Sequence, residues 1–548
     1  MTDKILAYHF DLKHGMWRQD FMRALADRLR GWGFNTILLE MEDKFRFPRH
    51  PSIAHADALS PEQAEEFVQW ARAKGLDVVP LVPSLGHAEF ILRKDEYAHL
   101  RVAPTIDSQF DPLSAKARQL VIDLCDEVID ALRPSRFFHV GGDEAWYLAA
   151  NDRCAAAIED VGIGELYLQH MLPILEHIHR RGLRPIIWAD MLLSHPETIE
   201  RVPKYVVLMD WDYWTRRPRL ETIRVWRKQA VEGAGRAVDW RQYQAMPDAM
   251  FKRNLGRHAV DERTPRDGTF RAFYCARALA DAGFDVLAAS ASRCWGDTVG
   301  VPRYGVHLPN CFYSTRAGMD RLGAAVTSWA VRHCHPTLCL PAAFAAARAF
   351  SGHDDCDLEE TLDAFCRDFF GAALPGYTEA MVKAAQTFTF AEAHAIETAG
   401  RRLDKGEDAM GAMLEDLDAK QGGRNAAVAH VIERRSGYAE ARELVERMAP
   451  VAVSNRDALG LYLEAIDVNT FYADVALAAL RKTLAAETPV LASRLKTLRE
   501  QTGRLLGGVY TPVGLAEEID LRYGFHDRFL RGKAAGGRRP RSARNGTT

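Results

Sequence analysis

The chain has 548 residues, of which 47% are hydrophobic and 26% charged, and its formal net charge is −3. This is the balance of a globular protein with a sizeable core, which excludes disorder as the default state. It also excludes a global basic field for gathering nucleic acid or anionic membrane, so a neutral partner is expected, with no nucleic acid and no membrane.

The N-terminal MTDKILAYHFDLKHG lacks a basic stretch followed by an apolar one, and nowhere do 18 uninterrupted apolar residues occur; the expectation is a cytoplasmic protein. The nine cysteines are scattered without framework spacing, which predicts reduced thiols. HCHPTLC (333–339) matches no usual zinc spacing, so no metal and no cofactor are expected.

In chain order, short apolar runs alternate with amphipathic stretches over the first 350 residues. The predicted strands are KILAYHF (4–10), NTILLEM (35–41), DVVPLVP (77–83), RFFHVGG (136–142), RPIIWAD (184–190), YVVLMDW (205–211), DVLAASA (285–291) and GAAVTSW (323–329). Helix patterns lie between them. SPEQAEEFVQWARAKG opens on Ser60 as cap, with Pro61 at the first helical position, Gln63 closing a capping box and Gly75 as a stop.

Eight such repeats predict an α/β fold, a (β/α)8 TIM barrel over 1–350 whose reactive side chains gather at the C-terminal ends of the strands. The stretch 212–284 is too long for one helix and predicts an insertion ending in the helix RAFYCARALADAGF (271–284). From 351 to 530 the period changes to 3.6 and an α-helical C-terminal domain is expected. The Gly/Arg-rich 531–548 reads as a disordered basic tail. Helical appendages often pair subunits, so a homodimer is expected.

The fourth strand runs into FHVGGDEAW. Alternation puts His139, Gly141 and Asp143 on one face and Phe138, Val140 and Gly142 on the other, which points His139 and Asp143 to the barrel axis and leaves Glu144 at the mouth. The two glycines are read as clearing space beside the acids. Adjacent carboxylates that are partly desolvated cannot easily both ionise, so one is raised and suits a general acid. The same pair also fits a helix N-terminus, where acidic side chains are favoured.

Trp188, Trp211, Tyr213 and Trp329 fall at other strand ends and would ring the mouth with aromatic faces suited to a pyranose, although each alone also fits a core aromatic. Asp11, Lys13, Glu40, Glu42, Asp43, His87 and Asp190 are candidate hydroxyl binders or ordinary loop charges.

The stretch His139-Val140-Gly141-Gly142-Asp143-Glu144 resembles the His-x-Gly-Gly-Asp-Glu signature of glycoside hydrolase family 20, the β-N-acetylhexosaminidases. LGHAEF, WADML, DWDYW and VTSWA resemble the family's segments after the third, fifth, sixth and eighth strands, so the resemblance spans 4–350. YHFDLKHG, LLEMEDKFRFP and PLVPSLGHAEFIL are similar to its hexosaminidase D-like branch, which starts directly at the barrel.

The resemblance implies an exo-acting retaining enzyme that removes terminal β-linked GlcNAc or GalNAc. The substrate's acetamido oxygen attacks the anomeric carbon and gives an oxazolinium ion. Glu144 would protonate the leaving oxygen and later deprotonate water, while Asp143 would orient the acetamido N–H. Tyr213 would bond the acetamido oxygen; Trp188, Trp211 and Trp329 would wall the pocket, with His139 as support.

The family's relatives with an N-terminal domain carry an Arg where Lys13 stands and a Glu where this chain has Ala330-Val331-Arg332. Two alternatives stay open, a conventional two-carboxylate retaining β-glycosidase and a non-catalytic sugar-binding barrel. The conventional mechanism needs a facing carboxylate, and VLAASASRCW on the seventh strand has none, although Glu40 or Asp190 could serve.

Overall fold

The computed structural model describes residues 4–13, 15–225, 236–247, 249–294, 296–329 and 334–534. Eight parallel strands close into a barrel: β1 (Ile5–Asp11), β2 (Thr36–Glu40), β3 (Asp77–Leu81), β4 (Phe137–His139), β5 (Arg184–Trp188), β6 (Val207–Trp211), β7 (Asp285–Arg293) and β8 (Gly323–Ser328). Each strand pairs with its neighbours in sequence, and β8 closes on β1 through Tyr8 opposite Val326.

The register brings Asp11 opposite Glu40, Leu81 opposite His139, His139 opposite Ile186 and Trp188 opposite Met209. The side chains that follow these positions therefore leave the sheet at one rim, which is why residues far apart in sequence share a site.

The crossover helices form for reasons visible in their residues. Gln19–Gly31 buries Met22, Leu25, Ala26 and Leu29, the spacing of a single helical face. Each large side chain on it is worth roughly 1.5–3 kcal/mol when fully buried, so an Asp at Leu25 would detach the helix. In Pro61–Ala73 the Ser60 hydroxyl accepts from Gln63 N at 3.2 Å and the Gln63 side chain accepts from Ser60 N at 2.9 Å, which completes the capping box.

Between β6 and β7 the expected insertion is built of two antiparallel ribbons, Arg219–Leu220 with Phe270–Arg271 and Thr222–Val225 with Arg236–Asp239, and short helices. Its last helix is Tyr274–Asp281, shorter at both ends than the 271–284 pattern. Phe273 takes positive φ at its start and Gly283 follows its end at φ 90°, a conformation that suits glycine.

The fourth strand departs from expectation too. Regular pairing ends at His139, although Val140 N still donates to Ile186 O and Trp188 N to Gly141 O. Gly141 (φ 62°), Gly142 (φ 87°) and Glu144 (φ 48°) then turn the chain out of the pleat, so alternation no longer assigns faces beyond Val140.

Compact clustering of the chain gives two units. The barrel unit takes in residues through Cys294, Tyr304–Ala330 and Cys339–Thr361; the second unit gathers the described parts of 295–303 and 331–338 with the helices from Leu362 on. Arg424–Met448, Asp457–Leu480, Leu484–Leu506 and Pro512–Ala534 are its long helices. The last of these runs into the segment read as a tail; 535–548 lie outside the described residues, as does His333 of HCHPTLC.

Inside the second unit, the buried Arg522 guanidinium meets Glu464 at 3.0 Å and Glu518 at 2.8 Å. Removing Arg522 would leave Glu464 and Glu518 buried without their cation, typically a loss of about 3–5 kcal/mol. Among the described residues, none of the nine cysteines is joined in a disulfide. Among the described residues, no helix is long and apolar enough to cross a membrane.

His526 supplies a stability prediction. Its ring is buried without a hydrogen-bond partner on either nitrogen, stacks on Tyr472 at 4.5 Å and is flanked by Phe471 and Phe525, and burial pushes it down to about 3. The unfolded chain takes up a proton below about 6.5 that the folded unit refuses until about 3, so stability falls as pH drops through that window. His526→Phe is expected to remove on the order of 1–2 kcal/mol of the loss between pH 6.5 and 5. Chemical denaturation of the full chain at both pH values checks this.

Candidate active site

The rim at the C-terminal ends of β1 to β6 and β8 collects the acids and aromatics. At its centre the His87 imidazole lies between the two adjacent carboxylates, with Nε2 3.3 Å from Asp143 Oδ2 and 3.2 Å from Glu144 Oε2. Burial alone would lower the pKa of His87. The Asp143 charge and hydrogen bonds with both acids outweigh that and hold it well above the ordinary histidine range. An imidazole that favours its protonated form thus offsets the repulsion expected between adjacent acids.

Backbone geometry supports the arrangement from both sides. A Cβ on Gly86 would sit 2.5 Å from Asp143 O, so only glycine lets the loop after β3 reach the loop after β4. His87 (φ 56°) and Glu144 (φ 48°) are both in the left-handed region, a strain of about 1–3 kcal/mol each that persists only where surroundings over-determine it. One restraint on Glu144 is Asp190, whose Oδ2 accepts the Glu144 N–H at 3.0 Å.

Asp190 is therefore placed beneath the acids, buried, rather than facing outward as a hydroxyl binder. Burial foremost, then the Asp143 charge, raise its carboxyl well above the usual carboxylate range.

The two glycines do not clear space for a ligand. A Cβ on Gly142 would meet Met171 Cε at 2.7 Å and Tyr167 Oη at 2.9 Å, and one on Gly141 would lie 3.1 Å from Pro83 Cα. They allow the turn to pack against Ile163–Arg180 and the β3 end. His139 is fully buried; its Nδ1 accepts the Gly141 N–H at 2.9 Å, and burial pushes it down to about 3, so it is a neutral brace for the turn.

A second ionic cluster lies at the β1 and β2 ends. Glu40 Oε2 is 3.0 Å from His9 Nε2, and Lys13 Nζ lies 2.9 Å from Glu42 Oε1 and 3.9 Å from Glu40 Oε1. Asp11 Oδ1 accepts the Lys13 N–H at 2.9 Å. Desolvation would raise Glu40, but the His9 bond and the Lys13 charge hold it below the usual range. Glu42, by contrast, is raised chiefly by burial.

Asp43 is not part of this cluster. Its carboxylate pairs with the adjacent Lys44 at 2.7 Å, because the short 3-10 turn Glu42–Lys44 directs Glu42 instead to Lys13. His9 is thus the member that was not among the expected site residues. Alternation along β1 puts His9 on the same face as Asp11.

The aromatics form one connected wall. His139 contacts Trp188 (4.7 Å between centroids), Trp188 contacts Trp329 (5.8 Å), Trp329 contacts Tyr213 (6.3 Å), and Tyr213 stacks on Trp211 (5.1 Å). Trp188 is 2% exposed, Tyr213 7% and Trp211 9%, so the wall rises from a buried floor. Burial raises the Tyr213 hydroxyl well above its ordinary value, which keeps it a neutral donor. Ala330-Val331-Arg332 lie outside the described residues. Among the described residues, no group of three or more His, Cys, Asp or Glu is arranged to hold a metal.

Two outcomes test this geometry. His87 is expected to remain protonated through pH 7, with Asp143→Asn moving its titration down toward about 6.5; imidazole NMR checks this, and a wild-type midpoint near the free value contradicts it. Gly86→Ala is expected to lower stability by about 1–3 kcal/mol in thermal unfolding, since the clash is with backbone.

Residues 13–232 match the family model described as "Glycosyl hydrolase family 20, catalytic domain". The chain is similar to Hexosaminidase D of Bos taurus, 32% identical over 213 residues that make up 37% of this chain and 62% of the relative. It is 30% identical to Hexosaminidase D of Homo sapiens over 213 residues, 37% of this chain and 44% of that protein. It thus spans less than two thirds of the length of these relatives. A chitobiase structure from Flavobacterium johnsoniae is 14% identical with a TM-score of 0.47, over 96% of this chain and 77% of that one.

Proposed function

We propose, on the premise that this chain carries a glycoside hydrolase family 20 catalytic domain, that it is a retaining β-N-acetylhexosaminidase, acting on terminal β-linked GlcNAc or GalNAc by substrate assistance. The observation that carries this reading is how the rim's acids are disposed. Glu40 and Asp190, the carboxylates that could have served as a protein nucleophile, are buried, the first held by His9 and Lys13 and the second by the Glu144 backbone. Asp143 and Glu144 keep 13% and 40% of their side-chain surface open.

A reaction that finds its nucleophile in the sugar's own acetamido oxygen suits this arrangement. Glu144, the more open acid, passes the proton that it shares with the His87 imidazole 3.2 Å away to the glycosidic oxygen and then draws one from water. Asp143 receives the acetamido N–H and stabilises the charge that grows on it as the oxazolinium ring closes. Trp188, Trp211 and Trp329 enclose the methyl group and the pyranose, and the Tyr213 hydroxyl donates to the acetamido oxygen. Lys13, whose side chain stays 21% exposed, offers a fixed cation for ring hydroxyls.

Aryl β-GlcNAc and β-GalNAc are expected to be hydrolysed far faster than aryl β-glucoside, with inhibition by a thiazoline mimic of the cyclic intermediate. Glu144→Gln is expected to lower kcat by about 10²–10⁴-fold while ligand still binds. Asp143→Asn is expected to hurt the acetamido substrates most. Equal rates on the glucoside without thiazoline inhibition point to the two-carboxylate mechanism, and near-wild-type rates in both variants contradict the assignment.

A further inference from the structure

A loop that leaves the catalytic end of a barrel strand is ordinarily open to water, yet the one that follows β7 is not. Asp297 is 3% exposed, and Thr298, Val299 and Val301 are fully buried. These residues belong to the helical unit and not to the barrel unit.

Contacts inside the helical unit hold the segment. Asn469, buried in the middle of the apolar helix Asp457–Leu480, donates from Nδ2 to Val299 O at 2.8 Å and to Ala465 O at 2.9 Å. An amide is a poor choice for a helix interior, and the donation to Val299 is what it supplies there. Val299 N in turn donates to Ala391 O at 3.0 Å, and Thr298 forms an antiparallel bridge with Glu392. Gly300, at φ 95°, completes the fit. A Cβ on it would lie 2.2 Å from Ala465 Cβ and 3.1 Å from Ala465 Cα, so only glycine lets the segment lie against this helix.

The chain carries this restraint back to the barrel. Arg293 ends β7 and Cys294 follows it, three residues before Asp297. Cys294 is 5% exposed, and after burial it is the group that most raises the Tyr213 hydroxyl, which puts the thiol beside that phenol. We infer that Asn469 and Gly300 are positioning residues for Tyr213: by fixing the chain beyond β7 they set where Cys294 stands beside the phenol, and so where the hydroxyl meets the acetamido oxygen. A misplacement of about 1 Å in a group that touches the reacting atoms can cost on the order of 10²-fold in rate, so a restraint two elements away is enough to matter. The inference rests on the proposed hydrolytic function and gives the helical unit a task within it.

The test is a double-mutant cycle on kcat for an aryl β-GlcNAc, made in the intact chain. Asn469→Leu keeps roughly the side-chain volume and removes both donations; it is expected to lower kcat about tenfold while KM changes less than about twofold. Gly300→Ala pushes the same segment from the other side, is expected to do the same, and serves if the Leu variant does not fold. Tyr213→Phe alone is expected to lower kcat about 10²-fold. In the Tyr213→Phe background either substitution is expected to cost less than about twofold, because the hydroxyl they position is gone, whereas a merely structural loss would appear there in full. An unchanged kcat in the single variants, or the same loss in both backgrounds, overturns the inference and leaves the proposed function standing. A wild-type protein that turns over no aryl β-N-acetylhexosaminide overturns the proposed function and this inference together.

Discussion

A single imidazole between two carboxylates is the contact on which the rest of the rim depends. Asp143 and Glu144 are adjacent in the chain, and without a cation their charges would repel in a site from which water is partly removed. His87 Nε2 is within 3.3 Å of both, so one imidazole is shared between the two acids. The backbone has been bent to allow this. His87 and Glu144 occupy the left-handed region and Gly86 presses against the Asp143 carbonyl, while the closed barrel below supplies the rigidity that keeps such strain in place.

Burial then sorts the remaining acids. Glu40 and Asp190 both lie within the sheet ends, and each has partners that occupy it: an imidazole and an ammonium for the first, a strained backbone N–H for the second. Glu42 is tied to Lys13. The pair at His87 keeps more of its surface open than Glu40, Glu42 and Asp190 do. In the aromatic wall, Trp188, Tyr213 and Trp211 are likewise buried.

Much of this was legible in the residues. The eight apolar runs each became a barrel strand, within a few residues at either end, because parallel strands covered by helices are apolar throughout and their turns are marked by Gly, Pro and Asp. The Ser60 capping box formed as written. HVGGDE and the Gly-His pair also stood out, since glycine beside a polar residue at a strand end is unusual in a core.

Other features could not be read locally. Strand alternation fails after Val140 because three of the next four residues take positive φ, and nothing in a run of letters announces the Pro83, Tyr167 and Met171 atoms that fill the space beside Gly141 and Gly142. The choice of Glu42 over Asp43 as the partner of Lys13 is set by a short 3-10 turn, and the burial of Asp190 by the loop from another strand.

The central claim is that Asp143 and Glu144 work on a sugar that supplies its own nucleophile. Replacing the acetyl hydrogens of an aryl β-GlcNAc with one, two and three fluorines weakens the carbonyl oxygen stepwise and leaves the leaving group untouched. The account predicts that log kcat/KM falls steeply and linearly along this series; a flat series would contradict it, because a carboxylate of the protein would then be forming the bond.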